Sequence, residues 1–220
     1  MTPILRIEAP KRFGMAAVCE INILAAISAG IIAFFSLGGL LLCFGFVGLG
    51  LSMDKWFLVP LGLLCGCIGG FFFSFLPLIQ INPFVRHIVR ENAGPVSDRR
   101  DTHDVQLAIT PRLCKGLRGF LEDADDIGRL TIFQEGIRFE GDHVYIELPF
   151  SAIDELTHVN SGARLIWLVG RRVRTETTVF EGVQRLEFLE RESNTIMTSR
   201  RISGNMVRTM EAGIQRSRGV

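Results

Sequence analysis

The chain has 220 residues, 48% of them hydrophobic, with 24 Lys and Arg against 23 Asp and Glu and a formal net charge of +1. That length holds one ordinary domain plus a further segment. The near-balance of charge excludes a global field that would gather nucleic acid or an anionic surface, so any anion site has to be a local cluster.

After a flank carrying Arg6, Lys11 and Arg12, no Asp, Glu, Lys, Arg or His occurs from Ile21 to Met53, nor from Trp56 to Val85. A bilayer core takes roughly 20 apolar residues as a helix. The pattern predicts two transmembrane helices, about 21–50 and 56–80, joined by a tight turn at Asp54-Lys55. A signal peptide fits less well, because a second apolar run follows at once. Pro60 falls in the first turn or so of the second helix, and Pro83 is expected to stop it. Gly62, Gly66 and Gly70 recur every four residues and predict a close-packing face. Its partner is either helix one, through Ala25, Ala29 and Ala33 or Ala26 and Gly30, or a helix of a second copy or another protein. Cys65 and Cys67 lie two apart on a helix and point away from each other, which excludes joint chelation.

Arg86, Arg90, Arg99 and Arg100 follow the second run, whereas the turn has one Lys offset by one Asp. By the positive-inside rule both termini are expected in the cytoplasm, in a bacterial inner membrane. The lone Cys114 beyond the apolar region fits a reducing compartment. The expected organisation is therefore 1–97 for flank, membrane helices and connector, and 98–220 for a cytoplasmic domain. The connector is expected as a short helical exit followed by a linker.

Within 98–220 the period changes to two. Leu130 and Ile132, then Ile137 and Phe139, then Val144, Ile146 and Leu148 alternate with polar residues, as half-buried strands do. Gln134-Glu135-Gly136 and Glu140-Gly141-Asp142 supply hairpin turns. Further strands are expected at Val105–Thr110, Glu155–Val159, Ala163–Val169, Val173–Phe180 and Val183–Glu190. Ser193-Asn194-Thr195 reads as a helix cap, and Ile202, Met206, Met210 and Ile214 form one apolar stripe. The predicted fold is α+β: a transmembrane helix pair, then a strongly bent antiparallel sheet closed by an amphipathic helix.

The run Gly128-Arg-Leu-Thr-Ile-Phe-Gln-Glu-Gly-Ile-Arg-Phe139, the step Tyr145-Ile-Glu-Leu-Pro-Phe-Ser-Ala-Ile153 and the closing Gln184–Glu190 strand with its helix resemble the GRAM and bacterial pleckstrin-homology-like families. The resemblance spans about Val105 to Ile214. It implies a non-enzymatic module that binds proteins, lipids or peptides. In lipid-binding members a basic cluster lies in the first strand–loop–strand, which here holds Arg112, Lys115 and Arg118. The acidic run Glu122-Asp123-Ala-Asp125-Asp126 cancels much of that field and reads as a solvated loop. Arg171, Arg172 and Arg174 form a second cluster, read either as a solvated turn or as a contact for an anionic headgroup or acidic partner. His143 and His158 are isolated and lack metal-ligand spacing. No nucleophile, base and orienter group together.

These features predict a membrane protein displaying an interaction module at the cytoplasmic face, for protein recruitment or headgroup sensing. The alternative is an accessory subunit or assembly factor of a larger membrane complex. No enzyme activity, cofactor, metal or nucleic-acid partner is expected. The expected partners are the bilayer, a membrane or cytoplasmic protein, and possible further copies of the chain.

Overall fold

The structure is a computed structural model and describes residues 1–8, 14–74, 82–93, 101–111, 124–160 and 171–219. It divides into two compact units, Met1–Leu24 with Ile79–Val220, and Ala25–Leu78.

The larger unit holds one antiparallel sheet. Its strands are β1 (Ile4–Ile7), β2 (Thr102–Thr110), β3 (Asp126–Ile132), β4 (Gly136–Gly141), β5 (Val144–Pro149), β6 (Glu155–Asn160), β7 (Arg171–Glu176) and β8 (Arg185–Glu190). They lie in the order β1-β5-β4-β3-β2-β8-β7-β6, strongly curled into a half-barrel. The expected strand Ala163–Val169 lies outside the described residues. The strand expected to run to Phe180 ends at Glu176. At one edge, β1 pairs Leu5 with Ile146 of β5. From sequence these residues are expected in the N-terminal flank; here they extend the sheet.

The alternation places Val105, Leu107, Ile109, Leu130, Ile137, Phe139, Ile146, Leu148 and Phe188 on the concave face, each fully buried. The helix α4 (Ile196–Arg218) covers that face with Met206, Val207, Met210 and Ile214. Thr195 caps it, its Oγ1 accepting from the Thr198 amide at 3.2 Å, as the Ser-Asn-Thr signal predicted. Gly213 admits the Phe150 ring against the helix backbone, where any Cβ would collide with it. Gly128 stands opposite Gly141, and a Cβ on Gly128 would strike the β4 backbone. Glycine pairs of this kind mark close strand approach at a sharp bend.

Residues beyond the second apolar run form α3 (Asn82–Ala93). Pro83 was expected to stop a helix; it sits in the first turn of a new one, where its missing N–H costs nothing. Val85 and Val89, four apart, are buried, and α3 packs on β3.

The smaller unit contains most of α1 (Gly14–Ser52) and all of α2 (Leu58–Phe73). Among the described residues one helix, Gly30–Ser52, is long and apolar enough to cross a membrane. α1 ends in a Schellman-type turn: Asp54 has φ 54° and the Lys55 amide donates to the Gly50 carbonyl at 2.9 Å. Asp is among the few side chains that tolerate this conformation. α1 and α2 approach closely at glycines. A Cβ on Gly62 would stand 3.0 Å from the Cys43 carbonyl oxygen, one on Gly66 2.7 Å from the Cys43 sulfur, and one on Gly69 2.9 Å from the Leu40 nitrogen. Gly70 has nothing within 4 Å. The stripe is thus Gly62-Gly66-Gly69, correcting Gly70. It meets Gly39, Cys43 and Val47, whereas Gly30 meets open space; the side chains of Ala25, Ala26 and Ala29 lie outside the described residues.

Candidate functional site

The convex face of the sheet carries polar groups that the alternation turned away from the core. Asp104 and Gln106 on β2 and Arg129 on β3 are buried there, together with Arg191 after β8. A buried charge is stable only with partners in place. Arg191 donates through Nε to the Gln106 side-chain oxygen at 2.8 Å and through Nη1 to Asn82 Oδ1 at 3.2 Å. Asn82 Nδ2 in turn donates to the Ser193 carbonyl at 2.6 Å. Arg86, one turn on, donates to the Glu192 carbonyl at 2.7 Å and to Asn194 Oδ1 at 2.6 Å. The start of α3 therefore clasps the β8–α4 junction. Beside it, Arg129 Nε lies 3.6 Å from Asp104 Oδ1. Burial raises the Asp104 pKa above the ordinary aspartate value, more than Arg129 lowers it.

Of the acidic run, the described aspartates are not part of a solvated loop. Asp125 and Asp126 are each 1% exposed. Asp125 Oδ2 accepts from the Ile109 amide at 2.7 Å, beyond the Leu107–Asp126 pair where β3 stops pairing with β2. Asp126 accepts from the amides of Asp142, His143 and Val144, so one carboxylate holds the β4–β5 turn. Gly141 leaves room for it. The buried His143 ring sets Nδ1 3.2 Å from Asp126. Burial lowers the His143 pKa, but Asp126, Asp142 and Asp125 together outweigh it, and the net shift is upward.

The arginine cluster on β7 separates into unlike members. Arg172 and Arg174 both reach Glu187 of β8, at 3.2 and 2.9 Å, and Arg172 is only 5% exposed. They hold the sheet together and do not form the solvated turn expected. Arg171 is exposed. Arg112, Lys115 and Arg118 lie outside the described residues.

His158 and Ser203 lie 3.1 Å apart but do not make a nucleophile and base. The Ser203 hydroxyl donates to the Arg200 carbonyl at 3.2 Å, which directs its proton away from the imidazole rather than towards it. Ser203 is fully buried. Burial and Arg171 lower the His158 pKa. A cleft of about 470 Å³ is lined by Met1, Phe133, Gln134, Glu135, Arg138 and Glu147. Among the described residues, no group of three or more His, Cys, Asp or Glu could hold a metal ion.

No protein-family model, curated protein or solved structure matches the chain significantly. Sequence reasoning missed the α3 clasp and the role of the two aspartates. The one available signal was Asn82-Pro83, a cap-and-first-turn pair as much as a stop.

Proposed function

We propose that the chain is an integral membrane protein whose two apolar helices form a transmembrane hairpin, and that it displays a non-enzymatic pleckstrin-homology-like interaction module at the cytoplasmic face. One observation carries this reading. The chain leaves the sheet at Ile7, runs through the apolar helices, and returns at Asn82 to the same unit. A single sheet stands on one side of a bilayer, so the intervening chain crosses an even number of times. The large apolar side chains there are exposed, Phe34 at 73%, Leu41 at 71% and Phe44 at 76%. A core helix of a water-soluble protein would hide them. The arginines after the second run favour the cytoplasmic side.

The antiparallel sheet closed by one helix, with Gly128, Phe150 and Gly213 at its tight contacts, supports the pleckstrin-homology-like reading. β1 is an addition outside the span of that resemblance. The accessory-subunit alternative used the glycine face for docking. Gly62, Gly66 and Gly69 meet α1 instead, which favours the interaction module. Alkaline carbonate extraction of membranes tests the anchoring: the full chain stays in the pellet, and release into the supernatant would refute it. Particle size in mild detergent tests the second choice. A discrete small particle supports the module, and stable co-purification of other membrane subunits supports the alternative.

A further inference from the structure

We propose that the solvent face of α4 is a docking surface for anionic phospholipid headgroups, an inference that rests on the membrane anchoring above. Charge on this unit is segregated. α4 carries five Arg (Arg200, Arg201, Arg208, Arg216 and Arg218) against Glu211 alone, whereas the rest of 98–220 has 13 basic and 18 acidic residues. Of the described sheet arginines, 129, 138, 172, 174 and 185 each face a carboxylate, while Arg6 lies over the Tyr145 ring and Arg171 is exposed. The arginines of α4 face no carboxylate. Arg208 donates to Asn205, Arg216 to the Ala212 carbonyl and Arg218 to the Ile153 and Asp154 carbonyls.

Arg216 and Arg218 have a structural reason to be there, because cations favour a helix C-terminus. Arg200 and Arg201 have none. They lie in the second turn of a helix whose first turn has no acid, at the end where the dipole favours negative charge. Met197, one turn before them, is 79% exposed. At spacings of three and four it shares their face, and Arg208 follows two turns beyond Arg201. An apolar residue beside exposed arginines is the pattern of a helix lying on a headgroup layer. The junction that starts α4 is held by Asn82, where the chain returns from its apolar segment. The tether keeps headgroups at high effective concentration, which favours lipid over a freely diffusing acidic protein.

Each Arg near an anionic leaflet is worth about fivefold in surface partitioning, so three together give about a hundredfold. The test uses the full chain reconstituted in vesicles, with Met197→Cys labelled by an environment-sensitive dye and the five native cysteines changed to Ala. In phosphatidylcholine with phosphatidylglycerol the emission shifts to the blue and a lipid-phase quencher reduces it. In phosphatidylcholine alone, in about 1 M salt, or with Arg200→Gln, Arg201→Gln and Arg208→Gln combined, it stays aqueous. These exposed substitutions leave the fold intact, checked by circular dichroism. An aqueous signal in both lipids, or an equal shift in both, overturns the proposal while carbonate-resistant anchoring stands. Release of the parent by carbonate overturns the anchoring and this proposal with it.

Discussion

The two units use the same residue type in opposite ways. Phe139, Phe150 and Phe188 of the sheet unit are fully buried, whereas Phe34 and Phe44 of α1 are about three-quarters exposed, at 73% and 76%. Apolar burial drives folding in water, so the sheet unit encloses its own core. Among the described residues the helical unit encloses little beyond the glycine contacts, as the proposed membrane hairpin requires. Charges divide likewise. The sheet unit buries Asp104, Asp126, Arg129 and Arg191 with partners, and the apolar stretches carry none to bury.

That contrast is most directly broken by exchanging side chains of one kind. Phe150→Ala should destabilise the sheet unit by about 3–5 kcal/mol through lost burial and an unfilled cavity beside Gly213. Phe44→Ala should leave the same thermal transition unmoved. Circular dichroism of the full chain in detergent reads both, and equal shifts would erase the distinction between the units.

The glycine contact admits an all-or-none test. With Cys19, Cys65, Cys67 and Cys114 changed to Ala, Gly66→Cys should form a disulfide with Cys43 on mild oxidation, and Gly70→Cys should not. Counting free thiols by mass separates the two. Cross-linking at 70 would restore the register read from sequence.

A smaller effect is expected at the clasp. Asn82→Ala removes an acceptor from buried Arg191 and a donor to the Ser193 carbonyl, which costs about 1–3 kcal/mol. Hydrogen exchange should rise at the β8–α4 junction before it rises in β3 and β4. Uniform loss of protection would mean that α3 does not act locally.

The smallest effect is on pH dependence. His143 has its folded pKa raised above the ordinary value of 6.5. It therefore contributes stability that is fully present below that value and lost as pH rises through the folded pKa. His158 is lowered, so its contribution has the opposite sign and falls below pH 6.5. His143→Gln should flatten the fall in melting temperature above pH 6.5 and leave the rise below it. An unchanged profile above 6.5 would show that the Asp126 contact does not hold the proton.

Much of the sheet was legible because residues alternating in sequence also alternate between its faces. The stripe of α4 and its Thr195 cap were legible for the same local reason. The glycine register was misread because residues four apart drift about 40° round a helix, whereas a step of four then three stays on one face. β1 was illegible, since Ile4–Ile7 pairs with a strand well over a hundred residues away and nothing local records that pairing. The aspartates misled because a run of acids reads as solvated. Backbone amides that cannot be seen in sequence are what allow Asp125 and Asp126 to be buried.

The central claim is that the chain between Ile7 and Asn82 crosses the membrane and returns. Two exposed positions test it, Ser52 at the end of α1 and Glu181 in the turn before β8. Each is changed to Cys in a chain without its native cysteines, and intact cells are treated with a membrane-impermeant thiol reagent. The account predicts that position 52 reacts from outside and that position 181 reacts only after permeabilisation. Reaction of both positions from the same side would leave no crossing between the sheet and the end of α1, and would contradict the account.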